Sequence, residues 1–502
     1  MSITSIALAA FVGVLTLRYL FQTIVQYRKL RQVPGPWGSG WSQWCIVKST
    51  FTNSIYLDIA AHCRKYGPLV RIVPNMLVTN DPDIIRRMSG VRSLYTKGDW
   101  YAMTNIAVDR HHLFAETDED AHSSLRSKMA QGFTARDLGS TYIEASIDTQ
   151  LTTLFALIDT KYISSPNHRR TVDIARLLHY FVIDVITDIA FRSPFAFLQH
   201  DRDVHHYIGA QESLLPIFEW LAALPTLGWL AHRPWLAKWI LPQPTDKTGM
   251  GYLMGIAQRT VAERFGPKAR VQADMLGSFI KHGLDQRQCE LEAAVQVIVG
   301  SDSTVTSLRA ILLFVLTCPR VYARLQAELD TVPRGESGGV ITDAQAKSLP
   351  YLQAVLKEGM RLFPPVTGHF SKKVPEGGDT LHGMSIPAGT EIAYAAWEFY
   401  RNPDVWGEDA DVFRPERWEE AGPERLAQMQ KTWELVFGYG KYSCLGKPVA
   451  MMELGKTLGE MFRRYDIALA NPLKPWKHFN RNGFFFITDM MVRIEKREGR
   501  GS

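Results

Sequence analysis

The stretch from Phe437 to Gly446 constrains this chain most, because it places one cysteine between glycines and directly before a long helical pattern. It reads Phe-Gly-Tyr-Gly-Lys-Tyr-Ser-Cys-Leu-Gly, and apolar residues then recur at helical spacing from Met451 to Phe462. Glycines permit backbone conformations that a Cβ would forbid, and they let a flat cofactor approach closely. The dipole and free N–H groups at a helix start favour a thiolate. We therefore interpret the stretch as a loop that presents the Cys444 thiolate to a metal.

Two other kinds of loop compete with this interpretation. A buried structural cysteine in a helix-capping loop is the ordinary alternative for a lone cysteine between glycines. A phosphate-binding loop fails, because Lys441 stands six residues before Lys447 where glycine is required, and Pro448 stands where serine or threonine is required. The choice between a structural and a metal-binding cysteine therefore depends on motifs elsewhere in the chain.

The loop resembles the heme-binding loop of cytochrome P450 monooxygenases, which runs Phe-x-x-Gly-x-Arg-x-Cys-x-Gly. The residues that occupy the family's positions are Phe437, Gly440, Cys444 and Gly446. The resemblance implies that all four bind the cofactor and that Cys444 ligates the iron of heme b. Tyr442 replaces the usual arginine, which ordinarily pairs with a heme propionate. Lys441 or the Tyr442 phenol is expected to take over part of that contact.

A long apolar helical pattern from Ala293 to Leu316 carries the polar run Gly-Ser-Asp-Ser-Thr at residues 300–304. Serine and threonine inside a helix can bond back to the carbonyl one turn earlier and open the helix locally. Gly300 is expected to let a cofactor lie close. From the residues alone, a kinked core helix with Asp302 as a cap or in a pair is the structural alternative.

This run resembles the oxygen-activating helix of the P450 family. Val299 stands where alanine or glycine is usual, and Ser303 stands where the oxygen-activating threonine is usual. Serine keeps the hydroxyl but loses the methyl group that fixes the rotamer, so we expect proton delivery with more leakage. The resemblance implies three catalytic residues that deliver protons to bound dioxygen, namely Asp302, Ser303 and Thr304.

His122 and Arg126 are four residues apart on a helical pattern, which puts both on one face. Two solvated polar residues are the ordinary interpretation of such a pair. In the family, residues at similar positions hydrogen-bond the heme propionates, and Lys372 is a further candidate for such a contact. The resemblance therefore adds His122 and Arg126 to the expected cofactor-binding residues.

Glu358 and Arg361 are spaced i,i+3 on an amphipathic helical pattern, which alone indicates an ordinary surface ion pair. They resemble the family's Glu-x-x-Arg helix, and residues 413–418 resemble its Phe-x-Pro-Glu-Arg segment. The resemblance implies that Glu358, Arg361 and Arg417 form a buried charged network behind the cysteine loop.

Local patterns predict further parts of the framework. The segments that read as strands or strand pairs are residues 69–73, 76–79, 383–392 and 484–487. Residues 99–116 lack periodicity and are expected to form a long loop. Residues 217–241 are rich in tryptophan and proline, which fits either an apolar roof at a membrane interface or a buried helical hairpin.

The N-terminal region predicts a membrane anchor. Residues 1–27 are mostly apolar, Arg18 can snorkel, and a spanning helix needs ~20 such residues. The basic residues follow the apolar run, which favours a single-pass anchor over a cleaved signal peptide and a catalytic domain facing the cytosol. By resemblance to microsomal members, we expect an endoplasmic reticulum anchor at 1–27, a basic and Pro/Gly-rich hinge at 28–40, and a catalytic domain at 41–502.

Composition narrows the class of protein. Five widely spaced cysteines give no disulfide framework and no zinc pattern, as expected in a reducing compartment. The net charge of +6 comes without a basic tract interleaved with aromatics, so we expect no nucleic-acid partner.

Together the motifs predict a mainly α-helical P450 fold with small β-sheets around one buried heme. The resemblance implies a monooxygenase that inserts one atom of O2 into a C–H bond of a small lipophilic molecule, such as a fungal terpenoid, polyketide or alkaloid. No flavin or nicotinamide fingerprint occurs, so electrons are expected from a separate NADPH–cytochrome P450 reductase docking near Lys441 and Lys447, with cytochrome b5 as a further donor. The alternatives are a reductase-independent isomerase or dehydratase and a non-catalytic heme-binding protein.

Overall fold

The structure is a computed structural model that describes residues 3–134, 140–266, 269, 272–333, 339–481 and 483–497. The ends of the predicted anchor and catalytic domain, residues 1–2 and 498–502, lie outside the described residues. Long helices and short strands make up the described part, which confirms the predicted mainly α fold with small β-sheets.

The longest helix, Gln286–Leu316, packs against six other helices. In chain order the helices are α1 (Ile3–Lys29), α2 (Trp44–Thr52), α3 (Ile55–Tyr66), α4 (Pro82–Ser89), α5 (Asp99–Ala102), α6 (Glu119–Met129), α7 (Ser140–Leu157), α8 (Ile174–Phe191), α9 (Phe197–His200), α10 (Tyr207–Ala223), α11 (Pro225–Ala231), α12 (Pro234–Ile240), α13 (Gly249–Phe265), α14 (Met275–Lys281), α15 (Gln286–Leu316), α16 (Pro319–Leu329), α17 (Asp343–Lys347), α18 (Pro350–Leu362), α19 (Ala396–Phe399), α20 (Pro403–Trp406), α21 (Arg417–Glu420), α22 (Pro423–Trp433) and α23 (Lys447–Arg464).

The strands form four small sheets within the described residues. In chain order they are β1 (Leu69–Val73), β2 (Met76–Thr79), β3 (Thr96–Lys97), β4 (Val172–Asp173), β5 (Lys372–Lys373), β6 (Asp379–Leu381), β7 (Met384–Ile386), β8 (Glu391–Tyr394), β9 (Tyr465–Leu469), β10 (Lys477–Arg481), β11 (Phe484–Thr488) and β12 (Met491–Lys496). The largest sheet has the order β1-β2-β8-β5-β3, and the others are β4-β12-β9, β10-β11 and β6-β7.

Helix α15 is the centre of the core. The Asp285 side chain caps its start by accepting from the backbone N–H of Gln288 at 2.9 Å. It packs against α8, α13, α18 and α23. It is also long and apolar enough to cross a membrane, but 72% of its apolar span is buried inside the protein. Burial therefore identifies α15 as a core helix.

The N-terminal helix α1 continues through Lys29, so the predicted boundary at residue 27 falls inside it. After the helix, Leu30 and Val33 are buried in a cluster with residues of β1, β2 and β8. The Arg71 guanidinium donates to the carbonyl oxygen of Tyr27 at 3.3 Å. The segment predicted as a hinge therefore packs against the catalytic domain.

Several local predictions are confirmed and two need correction. Strands β1 and β2 form the predicted hairpin, and β11 covers the aromatic strand. Residues 383–392 do contain two strands, but β7 pairs with β6 and β8 pairs with β2 and β5, so they belong to different sheets. The stretch 99–116 begins with the short helix α5.

The tryptophan-rich stretch folds as the end of α10 followed by α11 and α12. We call Trp229, Trp235 and Trp239 the tryptophan surface, because they are 57%, 62% and 79% exposed. The Arg233 guanidinium lies 3.5 Å from the centre of the Trp229 ring. A buried helical hairpin is therefore wrong for these three side chains.

Candidate active site

The cysteine loop is held by tight backbone turns between α22 and α23. Gly438 and Gly440 have φ values of +71° and +56°, a region that favours glycine. The backbone N–H of Cys444 donates to the carbonyl oxygen of Phe437 at 2.6 Å, and Gly446 caps α23. A Cβ at Gly440 would come within 2.2 Å of the Ser89 carbonyl oxygen. Gly440 is therefore needed for packing on the end of α4.

The Cys444 thiol combines accessibility with burial. Its residue keeps accessible surface, whereas burial among protein atoms raises the pKa of the thiol. The backbone N–H groups of Gly446 and Lys447 and the charge of Arg126 oppose this rise. Cys444 is therefore surrounded by protein atoms and still open to a ligand. Cys63 and Cys289, in contrast, are buried, and burial raises their pKa to about 12, as expected of inert core cysteines.

Helix α6 places His122 and Arg126 beside the loop. The Arg126 guanidinium donates to the Ser443 hydroxyl at 2.9 Å, and the His122 ring centre lies 5.4 Å from that of Tyr442. Burial, reinforced by nearby positive charges with Lys97 first, lowers the pKa of His122 to about 3. His122 is therefore neutral, and the structure brings both predicted residues to the Cys444 loop.

Lys441 is occupied by the protein itself. Its ammonium group lies 2.9 Å from the Glu119 carboxylate and donates to the carbonyl oxygens of Ser93 and Tyr95 at 3.0 and 2.9 Å. The Tyr442 hydroxyl donates to the same carboxylate. Glu119 therefore compensates the charge of Lys441, and the expected contact of Lys441 with a propionate stays a prediction. For the same reason its charge is not free to attract a reductase.

In the polar run of α15, residues 300–304, Ser303 is the hydroxyl-bearing residue that keeps accessible surface. Val299 and Ser303 lie one turn apart and keep partly accessible surface, whereas Ser301 and Thr304 are 0% and 5% exposed. The Ser303 hydroxyl donates to the Val299 carbonyl oxygen at 3.2 Å, and the Thr304 hydroxyl donates to the Gly300 carbonyl oxygen at 3.1 Å. This face of α15 therefore borders an internal space at Ser303 but not at Thr304.

Asp302 points into the protein. It is 8% exposed, the Gln211 side-chain amide donates to its carboxylate, and His179 Nε2 lies 3.4 Å from it. Burial lowers the pKa of His179, so the imidazole is neutral beside this carboxylate. Asp302 is therefore held between α8 and α10 by Gln211 and His179. This is the pairing expected if α15 is a kinked core helix.

Gly300 has a packing function. A Cβ at this position would come within 3.0 Å of the Ile186 side chain on α8. Gly300 therefore allows α8 to pack closely against α15, a function that differs from the expected one of making room for a cofactor.

The network behind the loop is present. Glu358, Arg361 and Arg417 are 0%, 0% and 3% exposed. The Glu358 carboxylate accepts from Arg361 at 2.8 and 2.9 Å and from Arg417 at 2.8 Å. Helix α22 contacts the cysteine loop: Trp433 at its end packs on Phe437, with ring centres 5.9 Å apart.

Sequence reasoning missed three residues around these groups: His179, Gln211 and Lys97. It named Lys372 but did not predict that Lys372 lies opposite Lys97 in a sheet. His179 and Gln211 lie on apolar helices, where an isolated polar residue is the sequence signal that could have identified them. Lys97 carries no local signal, because its burial depends on the pairing of β3 with β5.

These side chains fit a heme with a thiolate ligand. Cys444 keeps accessible surface, so a metal can reach it, and metal coordination deprotonates a thiol. Three basic side chains contact its loop: Arg126 at Ser443, and Lys97 and Lys372 over the Tyr442 ring. The described residues place no carboxylate within 4.0 Å of any of the three. An acidic cofactor would compensate this buried positive charge.

Comparisons with known proteins agree with the site. The family model described as Cytochrome P450 matches residues 34–491. Cytochrome P450 monooxygenase ABA1 of Pyricularia oryzae is 40% identical over 499 residues, covering 98% of this chain and 97% of that protein. Cytochrome P450 monooxygenase aba1 of Botryotinia fuckeliana is 38% identical over 474 residues (94% and 92%), and abl1 of Leptosphaeria maculans is 35% identical over 461 residues (90% and 80%). The chain therefore belongs to the cytochrome P450 family of monooxygenases, oxidoreductases that hold the iron of heme b by a cysteine thiolate.

Proposed function

We propose that this P450 uses Cys444 as its iron ligand and oxidises a C–H bond of a small lipophilic molecule with electrons from NADPH. The observation that carries the proposal is the Cys444 thiol, which belongs to a residue with accessible surface at the start of α23 and has the backbone N–H groups of Gly446 and Lys447 directed at it. The bound heme supplies activation of dioxygen at a thiolate-ligated iron. The chain supplies the ligand, the contacts to the cofactor and the path for protons.

Ser303 is the proton donor in this proposal. Its hydroxyl is the group of the polar run that keeps accessible surface, so it can hold or donate a proton at Oγ toward the internal space. Asp302 is buried between α8 and α10 with His179 beside its carboxylate, and in this proposal it relays protons toward Ser303. Thr304 bonds back to Gly300 and opens the helix locally, so we assign it a role in helix shape.

Replacing Ser303 with alanine is expected to lower the product formed per NADPH consumed by at least about tenfold, since a positioned proton donor contributes roughly 10²- to 10⁴-fold. Hydrogen peroxide should rise in proportion. Ser303→Thr should keep or improve coupling, because threonine has a more restricted rotamer. The measurement is the ratio of product and peroxide to NADPH.

Ser301→Ala is the matched control for this experiment. Ser301 lies on the same helix, is 0% exposed and donates to the Val297 carbonyl oxygen at 2.8 Å. Its replacement should leave the ratio unchanged. Equal coupling in Ser303→Ala and the parent protein would refute the proposed role of Ser303.

The substrate is proposed to be a fungal secondary-metabolite intermediate. Val299 gives the accessible face of α15 an apolar side chain next to the Ser303 hydroxyl, which suits a lipophilic molecule. The similar monooxygenases come from the fungi Pyricularia oryzae, Botryotinia fuckeliana and Leptosphaeria maculans. Turnover that requires NADPH and a separate reductase supports the proposal, whereas turnover without NADPH would favour an isomerase or dehydratase of the same fold.

We also propose that α1 anchors the protein in the endoplasmic reticulum membrane with the catalytic domain in the cytosol. The described apolar side chains of α1 include Leu17 and Phe21, which are 68% and 69% exposed. The tryptophan surface would lie at the membrane interface, where tryptophan is favoured. Lys447 remains the candidate for reductase docking near the loop.

A chain that starts at Gln26 is expected to leave the membrane fraction and to keep its heme and thermal stability. A chain that starts at Trp41 should be destabilised by at least about 3 kcal/mol, because it loses the buried Leu30 and Val33, and each such side chain contributes roughly 1.5–3 kcal/mol. Fractionation and thermal unfolding test both. Equal stability of the two chains would contradict the packing of residues 28–40 on the domain.

A further inference from the structure

We infer that Glu292 on α15 supplies protons to Ser303 along one face of that helix, as a second route beside the one through Asp302. Insertion of one oxygen atom consumes O2, two electrons and two protons, and it yields the oxidised product and one water. Both protons must enter from solvent. The inference rests on the proposed role of Ser303, and it adds to that role a residue outside the motifs of the sequence.

Glu292 is a buried carboxyl group with one oxygen atom unused. It is 0% exposed, and its Oε1 accepts from the backbone N–H of Leu113 at 2.7 Å and from the Gln288 side-chain amide at 3.0 Å. Among the described residues, its Oε2 has no hydrogen-bond partner. A residue that only tethered the loop at Leu113 would need Oε1 alone. Oε2 is therefore available to hold a proton and to donate it.

The surroundings of Glu292 suit proton exchange near neutral pH. Burial raises the pKa of Glu292 to about 7, while the hydrogen bonds from Leu113 and Gln288 and the charge of Lys97 oppose the rise. A group that transfers protons works best when its pKa lies near the operating pH. The carboxyl group can therefore both hold a proton and release it.

The outer end of the route is a pocket at the surface. Its volume is about 520 Å³, and it lies between the loop that precedes α6, α6 itself and the start of α15. Gln288 lines this pocket, and its amide donates to the His111 carbonyl oxygen at 3.1 Å as well as to Glu292. One side chain therefore separates the pocket from the buried carboxyl group.

The inner end of the route follows the helix toward Ser303. Side chains four or seven positions apart lie along one face of a helix, and this spacing relates Gln288, Glu292, Gln296 and Ser303. Gln296 is close enough to Glu292 for its side chain to oppose the rise in the pKa of Glu292. In residues 291–300 these two are the polar side chains of an otherwise apolar stretch. The polar line on α15 therefore leads from the pocket to Ser303.

The proton moves in two steps. It leaves Glu292 at Oε2 and crosses to Ser303 Oγ through water oriented by the Gln296 amide, while Ser303 releases its own hydroxyl proton. The Glu292 carboxylate then takes up a proton from water in the pocket when the Gln288 side chain turns aside. The two amides carry no charge, so their function is to orient water.

Glu292→Gln tests the inference, because glutamine keeps an oxygen for Leu113 and Gln288 but loses the transferable proton. The product formed per NADPH consumed should fall by about threefold or more, and by less than in Ser303→Ala because Asp302 still supplies protons. Hydrogen peroxide should rise in proportion, and the solvent kinetic isotope effect on product formation should increase. Heme content and unfolding temperature should match those of the parent protein.

The pH dependence should change with the same substitution. In the parent protein the ratio of product to NADPH should fall as the pH rises through about 7, because Glu292 then loses the proton that it donates. Burial lowers the pKa of Lys97 to about 7 as well, and the loop that contacts Glu292 carries His111, His112 and Glu116. The variant therefore makes the assignment, and its ratio should not change through this range.

Gln296→Leu tests the inner step without altering the carboxyl group. It should reproduce the lower ratio, and adding Glu292→Gln should lower the ratio little further, since both residues act in one route. This variant decides the question even if Glu292→Gln loses heme. The ratio of the parent protein in Gln296→Leu would contradict the inner step.

Glu290→Gln is the matched control. Glu290 lies two residues before Glu292 on α15, but its carboxylate pairs with the partly exposed Arg287 at 3.2 Å. Its replacement should leave the ratio unchanged. An unchanged ratio and pH profile in Glu292→Gln would overturn the inference. An unchanged ratio in Ser303→Ala would instead refute the proposed role of Ser303, so the two failures are distinguishable.

Discussion

Replacing Cys444 with alanine is expected to abolish the red-shifted Soret band of the reduced carbon monoxide complex, and with it NADPH-dependent product formation. A thiolate ligand donates electron density to the iron, and this donation favours oxygen activation. His122 is not expected to replace the thiolate, because it lies on α6 and packs against the Tyr442 ring with ring centres 5.4 Å apart. The spectrum and the activity should therefore be lost together.

Cys289→Ala is the control for this prediction. Cys289 lies on α15 and is 0% exposed, and burial raises its pKa to about 12. Its replacement should keep the red-shifted band at the cost of a small loss of stability, about 1 kcal/mol. A red-shifted band that persists in Cys444→Ala, or an imidazole-type band in the parent protein, would show that Cys444 is not the ligand.

The sequence predicted the parts of the site that depend on local patterns. The cysteine loop, the central helix and the Glu358–Arg361 pair each lie within one short segment, so residue type and spacing were sufficient. The hairpin β1–β2 was predictable for the same reason, because a Pro-Asn turn joins two short apolar runs.

The remaining features depend on contacts between distant segments. The predicted position of Gly300 and Gly440 near a cofactor stays a prediction, and the structure adds a packing requirement for each, Ile186 on α8 and Ser89 at the end of α4. Lys97 and Lys372 become a pair only through the register of β3 and β5. Such pairings follow from tertiary packing, which local spacing does not encode.

The second large effect is expected at Glu358. Its carboxylate accepts from Arg361, Arg417, the Trp418 indole N–H at 3.1 Å and the Arg414 backbone N–H at 3.1 Å. Glu358→Ala leaves the buried Arg361 without its anion and leaves Arg417 with Asp409 alone, and breaking a buried pair costs roughly 3–5 kcal/mol. A domain has only about 5–15 kcal/mol of stability. The variant should therefore fold poorly and lose heme.

Glu358→Ala is expected to lose heme through a local contact as well as through lower overall stability. The Trp433 indole N–H donates to the Lys357 carbonyl oxygen at 3.0 Å, so α18 holds the residue that packs on Phe437 of the cysteine loop. Glu419→Gln is the control, because Glu419 pairs with the half-exposed Arg324 at the surface and its loss should stay within about 0.5 kcal/mol. Thermal unfolding and heme content are the measurements. A Glu358→Ala protein with the parent's heme content and unfolding temperature would show that the network does not support the loop.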